Sequence, residues 1–99
     1  MQPVPKTPQD ALAIFRDPAS EDWERDYAAL MIGVLDEALA DLAAVARNEN
    51  ESPMLQQRAA ECLAGAWRDR GMLMEGDTAG FTPVALEEIE LHRRSGERR

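Results

Sequence analysis

The helix predicted over residues 52–70 constrains the fold more than any other feature, because both of its ends are marked in the sequence. Ser52 suits the N-cap, Pro53 suits the first helical position, and Gly71 follows the last residue. The segment between these ends, "MLQQRAAECLAGAWRDR", is rich in alanine and glycine. Small side chains let two helix axes approach to the lower end of a range of roughly 8–10 Å. This helix is therefore predicted to lie close against the helix that precedes it.

Apolar residues spaced three or four apart predict further helices, and no segment shows the two-residue alternation of a strand. The longest helix begins at Ser20 as N-cap, and Gly33 marks a place where it bends or closely contacts a neighbour. It carries a wide apolar face made of two adjacent rows, one at residues 23, 27, 30, 34, 38, 42 and 45 and the other at residues 31, 35, 39, 42 and 46. The sequence thus predicts an all-α, compact bundle of about four helices, over residues 8–16, 20–47, 52–70 and 82–93, with an antiparallel pair at its centre.

Length and composition indicate one domain. Residues 1–6 are predicted to be a disordered lead-in spaced by prolines, residues 7–94 a single helical domain, and residues 95–99 a basic tail. The single cysteine, Cys62, excludes an internal disulfide and favours a cytoplasmic location. The first ten residues lack the apolar stretch of a signal peptide. The nine-residue uncharged run that begins at Tyr27 is too short to cross a bilayer.

Charge is distributed unevenly along the chain. Residues 7–92 hold 18 acidic residues against six arginines, a net charge of −12, whereas the last seven residues hold four arginines and one glutamate. Such a body repels nucleic acid and anionic membranes, which are bound through clustered Lys and Arg. It favours encounter with a basic protein, because electrostatic steering raises association rates. The alternative interpretation is that the acidity only keeps a helical protein soluble.

The segment over about residues 39–67 resembles one HEAT-type helical repeat. It combines a leucine-rich first helix, "LADLAAVA", the acidic turn "NENE" and the second helix "LQQRAAECL". The resemblance implies a central antiparallel helix pair. Gln56 stands where the repeat usually has arginine, and no second copy follows at a period of about 30–45 residues. A HEAT-like pair closed off by other helices is therefore expected, and not a solenoid.

The acidic turn followed by "AECLAGAW" and Gly71 is also similar to small helical immunity proteins of bacterial contact-dependent and other polymorphic toxin systems. Those proteins are acidic, cytoplasmic and without chemistry of their own. The resemblance implies a protein that binds and neutralises a cognate toxin domain. The resemblance does not indicate which residues of this chain would bind the toxin.

Reactive side chains are sparse. Cys62 lies among alanines and is predicted to be a buried, inert thiol, not a nucleophile paired with His92. The carboxylates of Asp36, Glu37 and Asp41 are predicted to form a solvated helix face, because no glycine-pivoted calcium loop accompanies them. No glycine-rich phosphate-binding motif is present. The sequence predicts no catalytic residue, no metal and no cofactor.

The leading functional hypothesis is a non-catalytic, acidic protein-binding module, with toxin immunity as its concrete form. Trp67 is predicted to lie in the core. Trp23, among its acidic neighbours, is either a candidate anchor for a basic partner or packed under the first helix, and the sequence favours neither. The candidate partner-binding residues are Glu21, Asp22, Trp23, Asp26, Asp36, Glu37, Asp41, Glu49 and Glu51.

Two alternative functions stay open. The first is a self-associating structural protein, a homodimer whose seam consists of Met72, Leu73, Met74 and Phe81. The second is an enzyme that binds a metal through helix-face carboxylates.

Overall fold

The protein folds into helices throughout the part of the chain that the structure describes. The structure is a computed structural model, and it describes the backbone of residues 4–97 and the side chains of residues 4–95. The helices are α1 (Pro8–Arg16), α2 (Asp22–Ile32), α3 (Ala38–Arg47), α4 (Pro53–Asp69) and α5 (Pro83–Glu97), and residues 4–97 contain no strand. The all-α class is confirmed. Residues 1–3 of the predicted lead-in and residues 98–99 of the predicted tail lie outside the described residues, and α5 extends into that tail as far as Glu97.

Side-chain caps fix the ends of α1 and α4 where the sequence predicts them. The hydroxyl of Thr7 accepts a hydrogen bond from the Asp10 amide at 3.1 Å, and that of Ser52 accepts one from the Leu55 amide at 3.2 Å. Each cap satisfies one of the amides that a helix start leaves without a partner. Gly71 follows α4 with a φ of +69°, the left-handed conformation that glycine adopts at low cost.

The predicted long helix over residues 20–47 is wrong, because the chain forms two helices, α2 and α3, separated by a turn over residues 33–37. This break raises the number of helices from four to five in residues 4–97. An unbroken helix of that length would measure about 42 Å, as long as the whole protein, whose longest dimension is 41 Å. The turn lets α2 and α3 both pack against α4.

The start of α2 also differs from the prediction. Glu21, not Ser20, is the N-cap, and it forms a reciprocal capping box with Glu24. The Ser20 hydroxyl instead donates a hydrogen bond to the Ile14 carbonyl at 2.8 Å, which joins the end of α1 to the start of α2.

Helix α4 lies at the centre, in contact with α2, α3 and α5, while α1 packs on α2. Its small residues Ala59, Ala60 and Ala64 are buried, which is what the sequence predicts for a helix in close contact with its neighbours. The buried residues of all five helices form one hydrophobic cluster, and its largest fully buried members are Ile32, Leu42, Leu55, Leu63 and Ile89.

Trp67 belongs to this cluster, as predicted for a core residue, and lies beneath the loop between α4 and α5. Its side chain is 5% exposed and stacks on Phe81, with ring centroids 6.4 Å apart and planes 13° from parallel. Two arginines hold the loop. Arg93 donates to the carbonyls of Leu73 and Gly76, and Arg47 donates to the carbonyls of Asp77 and Ala79.

Candidate functional site

Four of the nine predicted partner-binding residues form ion pairs within the protein. Each pair joins two different segments of the chain, so these carboxylates fasten the fold. The pairs are Asp26 with Arg58 (2.9 Å), Asp36 with Arg70 (2.8 Å), Asp41 with Arg16 (2.9 Å) and Glu51 with Arg25 (2.6 Å). Hydrogen bonding to the carboxylate raises the pKa of Arg16, Arg25 and Arg58 further above the ordinary arginine value, so these cations stay charged.

The other five predicted residues lie at the surface. Trp23 is 58% exposed one residue into α2, beside the exposed Asp22 and the N-cap Glu21. Glu37 and Glu49 are exposed on the turns before and after α3, away from this tryptophan along the chain. The structure therefore gathers three of the nine residues, Glu21, Asp22 and Trp23, at the start of α2.

Trp23 belongs to an apolar surface on α2 that faces solvent. Tyr27 is 51% exposed, Leu30 is 54% exposed and Val34, just past the helix, is 71% exposed. Their spacing of four, three and four places them on one side of the helix with Trp23. These four residues of the predicted apolar face lie on the solvent side, because α2 buries the opposite side, with Ala28, Ala29 and Ile32. We call Trp23, Tyr27, Leu30 and Val34 the α2 stripe.

Small side chains explain the orientation of α2. The helix buries Ala28, Ala29 and Ile32, so α1 and α4 approach it across two alanines. At the end of the helix, the Gly33 α-carbon also lies close to α4: a Cβ there would be 3.6 Å from that of Ala66. The bulky residues of α2 are consequently left on the side that faces solvent.

A shallow groove of about 200 Å³ runs beside the α2 stripe, between α2 and α4. Leu30 and Val34 form one wall, and Cys62, Gly65 and Asp69 belong to the other. A Cβ atom added at Gly65 would meet no other atom within 4 Å, so the groove is open above this glycine.

Among the residues that line the groove, Asp69 is charged, and the cluster of Asp26, Arg58 and Glu61 lines a separate pocket. Near the start of α2, Arg58 donates to Asp26 at 2.9 Å and to Glu61 at 2.8 Å, so one cation lies between two carboxylates. At the other end, Asp69 is exposed on α4. Asp22 lies next to Trp23, and Arg70 adds a cation by donating to the carbonyls of Gly33 and Ala66. The carboxylates near the apolar surface (Asp22, Asp26, Glu61 and Asp69) therefore outnumber the guanidinium groups (Arg58 and Arg70).

Cys62 and His92 lie in separate environments. Burial raises the pKa of the Cys62 thiol from 9.0 to about 11, with a further contribution from Glu61, so the thiol is protonated at neutral pH. His92 instead sits between α4 and α5, with Nδ1 2.7 Å from Arg68 Nη2 and Nε2 2.8 Å from Glu88 Oε2.

The residues on which the two alternative hypotheses depend lie as follows in the structure. Of the predicted dimer seam, Leu73 and Phe81 are buried in the core, while Met72 and Met74 are exposed. Among the side chains that the structure describes, those of residues 4–95, no three acidic, histidine or cysteine residues are grouped closely enough to hold a metal ion. Among the helices of the same part of the chain, none combines the length and the apolar character that crossing a membrane requires.

Known proteins supply no assignment for the α2 stripe. No protein-family model, no curated protein and no solved structure matches this chain.

Proposed function

We propose that this protein is a non-catalytic, acidic protein-binding module that acts in the cytoplasm and binds a basic protein through the α2 stripe. One observation carries the proposal: Trp23, Tyr27 and Leu30 are each more than half exposed and stand in line on one helix. A surface helix ordinarily turns such a row toward the core, and α2 turns it toward solvent. Contiguous exposed apolar surface of this kind marks interaction sites in soluble proteins.

The residue types in the stripe are those that anchor protein interfaces. Tryptophan and tyrosine are enriched among the residues that contribute most binding free energy, because they bury a large area at a small cost in side-chain entropy. The surrounding acidic residues add selectivity for a basic partner and speed its association. The ion pairs of Asp26, Asp36, Asp41 and Glu51 reduce the predicted role of these residues to shaping the surface; the proposed contacts are centred on Trp23.

Toxin immunity is the concrete form of this function that we propose. The resemblance over residues 60–71 to small acidic immunity proteins supports it, as does the net charge of −12 over residues 7–92. We further propose that α3 and α4, which contact each other across the turn of residues 48–52, are an antiparallel HEAT-like pair that serves as the scaffold for α2.

Size-exclusion chromatography with the product of the adjacent gene tests the function. We expect co-elution at low salt that is lost in Leu30→Glu and kept in Leu91→Glu. Leu91 is the matched control, because it is a helical leucine with an exposed fraction of 51% against 54% for Leu30. We also expect cells that express the wild-type chain to survive the toxin domain and cells that express Leu30→Glu to die. Separate elution at low salt, or protection unaffected by Leu30→Glu, would contradict the proposal.

A further inference from the structure

We propose that the segment of the partner that occupies the α2 stripe is an amphipathic helix whose apolar face is bordered by lysine or arginine, lying along α2 over the groove to α4. The inference rests on the proposed function as a binding module and specifies the chemistry of the partner at the same surface. Helices of this kind dock into apolar grooves through anchors spaced as the α2 residues are.

The shape of the surface favours a helix. Trp23 and Leu30 are seven residues apart on α2, which corresponds to about 10 Å along the helix axis, or two turns, and Val34 lies just past the end of the helix. A partner helix of three to four turns therefore covers the whole stripe. The open space above Gly65 allows its axis to approach closely, since no side chain rises from that position of α4.

The charge of the border selects a basic helix. Arg58 is shared by Asp26 and Glu61, and Asp22 and Asp69 are exposed at opposite ends of the apolar surface. Lysine or arginine side chains that flank an apolar face extend far enough to reach the exposed carboxylates of Asp22 and Asp69 while their methylenes cover the groove. The acidic border thus complements a basic amphipathic helix.

A second copy of this chain complements the surface poorly. In a two-fold dimer the same patch faces itself, so the acidic borders of the two copies would be brought together. Like charges across an interface disfavour association. The same acidic border disfavours an anionic lipid surface, although tryptophan, tyrosine and leucine also insert into membranes.

A synthetic peptide tests the inference on the full-length protein. The probe is a peptide of about 18 residues, or five helical turns, with leucines on one face, lysines on both flanks, alanine elsewhere and no tryptophan. Two control peptides replace its lysines by glutamate or scramble its order. Affinity is measured by calorimetry and by tryptophan emission, because Trp23 is exposed whereas Trp67 is already buried.

We expect the lysine peptide to bind, to shift the emission to shorter wavelength and to bind more weakly as salt is added. Leu30→Glu and Gly65→Leu should each weaken binding by at least about tenfold, a loss typical of the central contacts of an interface. Gly65→Leu extends into the groove from a position whose Cβ meets no atom within 4 Å, and leucine is a stronger helix former than glycine, so its melting temperature should not fall. Leu91→Glu should bind as the wild type does.

Several results would overturn the inference. They are equal binding of the glutamate or scrambled peptide, equal weakening by Leu91→Glu, or a wild-type dimer in sedimentation that Leu30→Glu dissociates.

Two further outcomes distinguish a failure of this inference from a failure of the proposed function. If the lysine peptide fails to bind while a Leu30-dependent complex with the neighbouring gene product persists, the helix chemistry is wrong and the binding function stands. If the peptide binds as expected and no protein complex forms, the inference stands and the toxin-binding function is wrong.

Discussion

Arg25 donates to both carboxylate oxygens of Glu51, at 2.9 and 2.6 Å, and so fastens α2 to the turn that precedes α4. The same guanidinium donates to the Phe15 carbonyl at 3.2 Å and lies 5.4 Å from the centre of the Phe15 ring. One side chain therefore connects the end of α1, the start of α2 and the α3–α4 turn. The two charged groups are only 15% and 17% exposed, so water screens the pair weakly.

Replacing Glu51 by glutamine should lower the free energy of unfolding by about 1–3 kcal/mol, because the guanidinium of Arg25 loses its charged partner in a poorly solvated place. Urea denaturation measures the loss. Glu49→Gln is the matched control two residues away; Glu49 is exposed, and its replacement should change stability by no more than about 0.5 kcal/mol. Equal effects of the two substitutions would contradict the structural role of this pair.

Gly76 supports the ring of Trp67 from the loop between α4 and α5. A Cβ atom at Gly76 would lie 2.5 Å from three atoms of the indole, so Gly76→Ala must displace a buried ring. We expect a loss of about 1–3 kcal/mol, as for other overpacked sites, together with a changed near-ultraviolet circular dichroism signal. Gly65→Ala is the control, because it adds the same methyl group into open space and should raise stability by up to about 1 kcal/mol. If Gly76→Ala were as stable as the wild type, the loop would not be packed closely against the indole ring of Trp67.

The N-terminal ends of α1 and α4 were predictable because the capping residues that mark them are adjacent in the sequence. Thr7 and Ser52 each bond an amide three residues on, and proline follows both of them. The break between α2 and α3 has a weaker signal. Gly33, where the turn begins, indicates a bend, but the apolar row continues past it with helical spacing at Val34 and Ala38. The position of the break depends on how α2 and α3 each pack against α4, and the local sequence does not show this packing.

The orientation of α2 was not predictable for a related reason. Periodicity identifies an apolar side of a helix, and here the side with Trp23 and Tyr27 outweighs the side with Ala28 and Ala29. In the folded protein the alanine side of α2 is the buried one, because small side chains let α1 and α4 pack closely against this helix. The acidic residues were identified as charged surface, but their pairing was not, since Asp26 and Arg58 are 32 residues apart.

Arg70, more than Gly33, is expected to hold the break after α2. Its guanidinium donates to the carbonyls of Gly33 and Ala66, each at 3.0 Å, and pairs with Asp36. Arg70→Met removes these bonds and should lower the free energy of unfolding by about 1–2 kcal/mol in urea denaturation. The control is Arg94→Met, on the exposed side of α5, with a change below about 0.5 kcal/mol.

Gly33→Ala should leave the break in place. Gly33 has a φ of −61°, which any residue adopts, and its Cβ would make ordinary contacts of 3.6 and 3.7 Å with α4. The expected change is a gain of up to about 1 kcal/mol, with the helical content by circular dichroism unaltered. A rise in helical content would indicate that α2 and α3 had joined, and would assign the break to the glycine.

The Cys62 thiol should react slowly in the folded protein and quickly in urea. Burial raises its pKa from 9.0 to about 11, so the thiolate fraction at pH 8 falls about a hundredfold, and alkylation by iodoacetamide slows in proportion. Between pH 9 and 11 the folded state keeps a proton that the unfolded state has lost, so stability must fall as the pH rises through this interval. Cys62→Ala should lack that part of the pH dependence in urea titrations. An identical decline in Cys62→Ala would show that other groups cause it, and alkylation at the unfolded rate would show that the thiol is not desolvated.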